Sequence, residues 1–213
     1  MENIFCAEAL NGMVQVNPLA ELPASQAGIA MRPSGEPSGA SADLWFIDTA
    51  SESNVSCATG TPAHGTKLAV KVMRHGCAAS HNEALESNEG YKSDWYKLRQ
   101  EYETLRSMDG AQGHAPVAYA LGWRIKKTPR GEVRYPALAM EYVEGVDIVE
   151  LREIISDERG EVCAADVLDT ARSIVTALLC CTVVSREDAR YLTTVSHRDL
   201  SSHNLRFMLD KDG

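Results

Sequence analysis

The sequence predicts an α+β fold of two lobes, strand-rich in its first half and helix-rich in its second. Three observations carry this. Up to Met73 the chain runs in short apolar stretches parted by Gly, Pro and Ser, the pattern of strands and turns. A helical period then opens in DWYKLRQEYETLRSM, and from Ala164 the run AADVLDTARSIVTALLCCTVV is apolar over a broad face, as a helix built for burial would be.

Taken in order, QAGIAMR and DLWFIDTA read as two strands joined by PSGEPSGAS, a hairpin with a glycine-containing tip. The polar stretch SESNVSCATGTPAHG leads into a further strand, TKLAVKVM. There Leu68, Val70 and Val72 share one face, and Ala69 and Lys71 the other, because side chains alternate along a strand. HNEALESNEGYKS, which follows, reads as a solvated polar loop. In the next segment Trp95, Leu98, Tyr102, Leu105 and Met108 recur at spacings of three and four, an amphipathic helix opened by Ser93 or Asp94 as cap and flanked by Glu101. AYALGWRIKK and YPALAMEYV, joined by a TPRGE turn, are two more strands before the chain turns helical.

Composition excludes several classes of function. With 213 residues, 44% apolar and 24% charged, the chain falls in the globular range and has room for one large domain or two small lobes. A net charge of −9 leaves no basic footprint for nucleic acid. The six cysteines (Cys6, Cys57, Cys77, Cys163, Cys180, Cys181) form no C-x-x-C pair and have no histidine at zinc-ligand spacing, so they read as reduced thiols. MENIFCAEALNGM lacks a basic segment followed by an apolar core, and IVTALLCCTVV is too short to span a bilayer. The expectation is a cytoplasmic protein with no membrane contact.

The densest chemistry lies in VSHRDLSSHNLRF, where His197-Arg198-Asp199-Leu200 is followed by Asn204. Five matches at fixed spacing would arise by chance in such a chain on the order of once in ten thousand, if residues were drawn evenly. The stretch resembles the catalytic loop of eukaryotic-type protein kinases. The resemblance extends backward in the family's order. LAVKV is similar to the strand whose lysine, here Lys71, contacts the α- and β-phosphates of ATP; Glu101 in RQEYETL resembles the helix glutamate that pairs with it. AMEYVEGVD resembles the segment between lobes, with Met140 in the gatekeeper place, the backbone of Glu141 and Val143 facing the adenine, and Asp147 meeting the ribose.

The resemblance implies a five-stranded antiparallel first lobe with one helix and a mainly helical second lobe. Residues 1–25 are then an extension, 26–143 the first lobe and hinge, and 144–213 a partial second lobe. It implies ATP and Mg²⁺ as cofactors and a protein hydroxyl as acceptor. Asp199 would orient that hydroxyl, Lys71 and Glu101 the phosphates, and Asn204 would offer an oxygen to Mg²⁺, a hard ion that prefers such ligands. Arg198 would pair with a phosphorylated activation segment, and His197 is packed structure.

Departures are as specific as matches. Gly35 and Gly39 sit in the expected hairpin, yet G-x-G-x-x-G is not spelled out, and the residues around Ser25 and Gly28 offer a second placement for a phosphate loop. Ser201 stands where serine/threonine kinases commonly carry lysine, and the tyrosine-kinase A-A-R-N is absent too; Ser/Thr is the expected substrate class. LRFMLDKDG reads as the strand after the catalytic loop, and no D-F-G follows it. Two readings fit these residues best: a protein kinase whose second lobe is completed by further chain or by a partner, and a pseudokinase-like module that binds a nucleotide or a partner without transfer. Kinase-like enzymes of small molecules fit less well, since they usually lack an arginine at the place of Arg198.

Overall fold

The computed structural model describes residues 3–7, 29–30, 32–33, 42–48, 67–108, 114–181, 183–184, 192–193 and 205–208. In chain order the elements are β1 (Asn3–Ala7), β2 (Ile29–Ala30), β3 (Arg32–Pro33), β4 (Ala42–Asp48), β5 (Lys67–Met73), α1 (His81–Ser87) and α2 (Glu89–Met108), then β6 (Ala118–Thr128), β7 (Gly131–Glu141), α3 (Ile148–Arg159), α4 (Ala164–Cys180), β8 (Val183–Val184) and β9 (Leu192–Thr193). The fold is α+β. The main sheet is antiparallel with the order β2-β1-β6-β7-β5-β4-β3.

Among the described residues that sheet has seven strands, where the resemblance implies five. Four long strands, β4 to β7, carry it. The two additional strands come from the edges: β3 and β2 divide the expected QAGIAMR strand, and β1 lies within the stretch expected as an extension. Asn3 to Ala7 pair with Lys126 to Gly122, so β1 continues the sheet past β6.

The chain separates into two compact units, Met1–Arg106 with Val117–Tyr142, and Ser107–Pro116 with Val143–Gly213. In the first, strand alternation sorts side chains onto two faces. Trp45, Ile47, Leu68, Val70, Val72, Ala120, Ala137 and Ala139 form a cluster on one face. On the other, Met73, Ala118, Leu121 and Leu138 pack against Trp95 and Leu98 of α2. Both helical residues are buried, at 2% and 0% exposure, and burying side chains of this size yields about 1.5–3 kcal/mol each. That packing holds α2 on the sheet.

Two corrections concern the helices. The polar stretch expected as a solvated loop folds as α1 and the first turn of α2. Ser80 Oγ accepts from the Glu83 amide, while the Glu83 carboxylate accepts from the Ser80 amide at 3.0 Å, a capping box that satisfies two otherwise orphaned donors. α2 then starts at Glu89, not beside Ser93 or Asp94. Asn88 Oδ1 accepts from the Tyr91 amide at 3.0 Å, which gives the helix its first-turn partner.

In the second unit, α3 opens on a capping box of Asp147 and Glu150 and closes on Gly160 at φ 84°, a left-handed turn that glycine adopts without strain. Residues 145–146 run beside Phe207, with Val146 N donating to Phe207 O at 3.0 Å and Phe207 N to Val146 O at 2.8 Å. A side chain at Gly145 would place its Cβ 2.6 Å from Phe207 O, so the close approach requires glycine. Of the expected LRFMLDKDG strand, this bridge is the described part.

Candidate functional site

Lys71 sits in the middle of β5 on the face turned to α2, opposite Leu44 on one side and Leu138 on the other. Glu101 lies on the stripe Asp94, Leu98, Glu101, Leu105 of α2, positions that a period of 3.6 brings to one helix face. The two side chains meet. Lys71 Nζ donates to Glu101 Oε1 at 2.9 Å and to Oε2 at 2.7 Å. Both are about one-third exposed, 33% and 34%, so the pair is reachable from solvent. An ammonium has three donors and Glu101 takes two, which leaves one direction for an anionic ligand.

A second tie links the same two elements. His75, just past the end of β5, donates its backbone N–H to Asp94 Oδ2 at 3.2 Å, and its ring Nδ1 lies 2.8 Å from the same oxygen. Asp94 is buried at 4% exposure. The sequence offers either this residue or Ser93 as a helix cap; its place on the 94/98/101/105 stripe is the signal that it faces the sheet.

Met140, beside Ala69 in the β5–β7 register, is half-buried near the end of β7. The Glu141 amide donates to Val117 O at 2.8 Å, and its carboxylate accepts from Val117 N at 3.1 Å. Glu141 thus fastens the approach to β6 with both backbone and side chain. Lys67 lies over the rings of Phe46 and Tyr142, 3.5 and 4.0 Å from their centroids, a cation between two aromatic faces.

Val143 and Asp147 belong to the second unit. Asp147 Oδ1 accepts from the amides of Val149 at 2.8 Å and Glu150 at 3.0 Å, so this carboxylate starts α3. Arg206 Nη1 donates to Gly145 O at 3.3 Å and lies 3.7 Å from Glu150, joining the segment after Asn204 to the start of that helix. Gly35, Gly39, His197, Arg198, Asp199 and Asn204 lie outside the described residues. The stretch holding Gly35 and Gly39 connects β3 to β4, which pair antiparallel.

Among the described residues no group of three or more His, Cys, Asp or Glu could hold a metal ion, and no helix is long and apolar enough to cross a membrane. No protein-family model, curated protein or solved structure matches the chain.

Proposed function

We propose that the chain is a protein-kinase-like module that binds ATP and transfers its γ-phosphoryl group to a protein hydroxyl, Ser or Thr. One observation supports the reading above the others: Lys71 and Glu101, singled out by motif 30 residues apart, meet in a two-pronged ion pair between strand and helix. Pairs open to solvent add only about 0–1 kcal/mol to stability, and this one, a third exposed, is a small part of what holds the fold. A lysine fixed by a carboxylate and still open to solvent is what an incoming phosphate needs.

In this reading Lys71 supplies positive charge to the phosphates and Glu101 fixes its direction. Asp199 accepts the hydrogen bond of the substrate hydroxyl and takes its proton as the new P–O bond forms and ADP departs. Such chemistry depends on positioning and charge more than on covalent participation by the protein. Mg²⁺ would supply charge neutralisation when bound, and Asn204 would offer it a neutral oxygen.

The test uses a fluorescent ADP analogue and a generic protein substrate. Lys71→Met is expected to weaken nucleotide binding about tenfold, the loss of one charge-assisted contact of about 1.4 kcal/mol. Asp199→Asn is expected to abolish transfer with nucleotide affinity unchanged. An Asp199→Asn protein that transfers phosphate at the parent rate would overturn the role of Asp199, and a parent chain with no nucleotide affinity would overturn the reading as a whole. Nucleotide binding without transfer would support the second reading, a non-catalytic binding module. The apolar residues that α4 exposes, Leu168 at 66% and Leu179 at 68% among them, favour a partner in that case.

A further inference from the structure

We propose that Asp94 and His75 are positioning residues that hold α2 in register with β5, so that Glu101 meets Lys71. The role rests on the reading of Lys71 and Glu101 as the phosphate-site pair, and the tie itself is visible without a ligand. Strand and helix run in opposite directions along each other: Lys71 meets the later helical residue, Glu101, and His75 the earlier one, Asp94. On the helix the two contacts are seven residues apart, about 10 Å at 1.5 Å per residue. On the chain leaving β5 they are four residues apart, about 13 Å if extended.

Two attachments at this separation fix what one cannot. Packing of Trp95 and Leu98 presses α2 against the sheet, but apolar contact is non-directional. The Tyr91 hydroxyl, accepting from Trp123 Nε1 at 2.8 Å, ties the first turn of α2 to β6, two places from β5 in the sheet, so along β5 itself a single polar contact would still let the helix slide and carry the Glu101 carboxylate away from Lys71. A second contact near the other end removes that freedom.

The burial pattern argues for the same role. Asp94 is the one charged residue fully buried among those described, and burying a carboxylate is costly unless hydrogen bonds replace the lost water. One of its oxygens receives both the amide and the ring of His75. The His75 side chain is itself 63% exposed, so the tie is anchored inside on the helix and reached from outside on the strand. Gly90 leaves room for that ring, since a Cβ there would lie 2.9 Å from His75 Cδ2.

The test reads the Lys71–Glu101 pair directly in the full chain. A water-soluble N-hydroxysuccinimide ester acylates free amines, and peptide mass spectrometry gives the rate at each lysine. A lysine held by a carboxylate reacts slowly, so Glu101→Gln sets the rate of an unpaired Lys71. Asp94→Ala is expected to raise Lys71 labelling about threefold or more, the scale of a coupled pair, with the rate at Lys67 on the same strand unchanged. His75→Ala removes the ring contact at an exposed position and gives the same result if the buried substitution fails to fold.

Equal rises at Lys67 and Lys71 would mean general loosening and would overturn the role. So would an unchanged Lys71 rate in both variants while Glu101→Gln raises it. The nucleotide readout then separates the two claims. If the parent chain binds no ADP analogue, the functional reading falls while the labelling still decides the tie. If it binds, Asp94→Ala weakens binding in the parent and not in Lys71→Met, because a residue acting through Lys71 has no effect once Lys71 is gone; equal losses in the two backgrounds overturn the role.

Discussion

His81 shows how one side chain can set a pH limit on a whole corner of the fold. Its ring centroid lies 4.5 Å from that of Trp95 and 5.1 Å from that of Trp123, with its Nδ1 3.0 Å from the Tyr91 hydroxyl. That hydroxyl already accepts from Trp123 Nε1 at 2.8 Å, so its own hydrogen can point to a neutral imidazole nitrogen. Burial, and then the nearby Arg134 charge, push the His81 pKa down. The unfolded chain therefore takes up the proton first, near pH ~6.5, and stability rises with pH wherever it binds more protons than the folded state. Stability from His81 is full above that value and is lost as pH falls toward the lowered folded pKa. The urea midpoint of the protein is expected to fall between pH 7.5 and 5.5, and His81→Phe, which keeps a ring and cannot titrate, to flatten part of that fall. An unchanged slope in the variant would remove His81 as the cause.

At the scale of the elements, what could be read from sequence followed the strength of local patterns. β5 was legible because Leu68, Val70 and Val72 alternate with Ala69 and Lys71, and the two faces they predict are the two clusters found. The body of α2 was legible from Trp95, Leu98 and Leu105. α1 was not, since Ala84 is its only buried residue and a helix with so little apolar stripe has no period to detect. Its signal was chemical: Ser80 followed three positions later by Glu83. β1 escaped because its longer pairing is with β6, far along the chain, and NIFCA has no alternation of its own. In the candidate site the same division holds. Lys71 and Glu101 stood out because each occupies a motif position, whereas the contact between Asp94 and His75 depends on the register of a helix against a strand, which no local pattern encodes.

Across the whole molecule, buried apolar residues are unevenly shared. Among the described residues those that are buried belong to the first unit, Ala115 aside, while neither α3 nor α4 buries any. An apolar groove of about 460 Å³ lies between these two helices, lined by Leu151, Ile155, Val167 and Ile174 among others. Equal truncations in the two units should therefore have unequal costs. Leu98, fully buried on α2, loses both transfer energy and packing when cut back, and Leu98→Ala is expected to cost about 2–5 kcal/mol. Leu168 on α4 is 66% exposed, so Leu168→Ala removes little that was sheltered from water and is expected to change stability by no more than about 0.5 kcal/mol. Urea denaturation of the two variants beside the parent measures both. Equal losses would show that the apolar face of α4 is covered in the folded chain, and would remove exposed Leu168 and Leu179 as support for a docking partner.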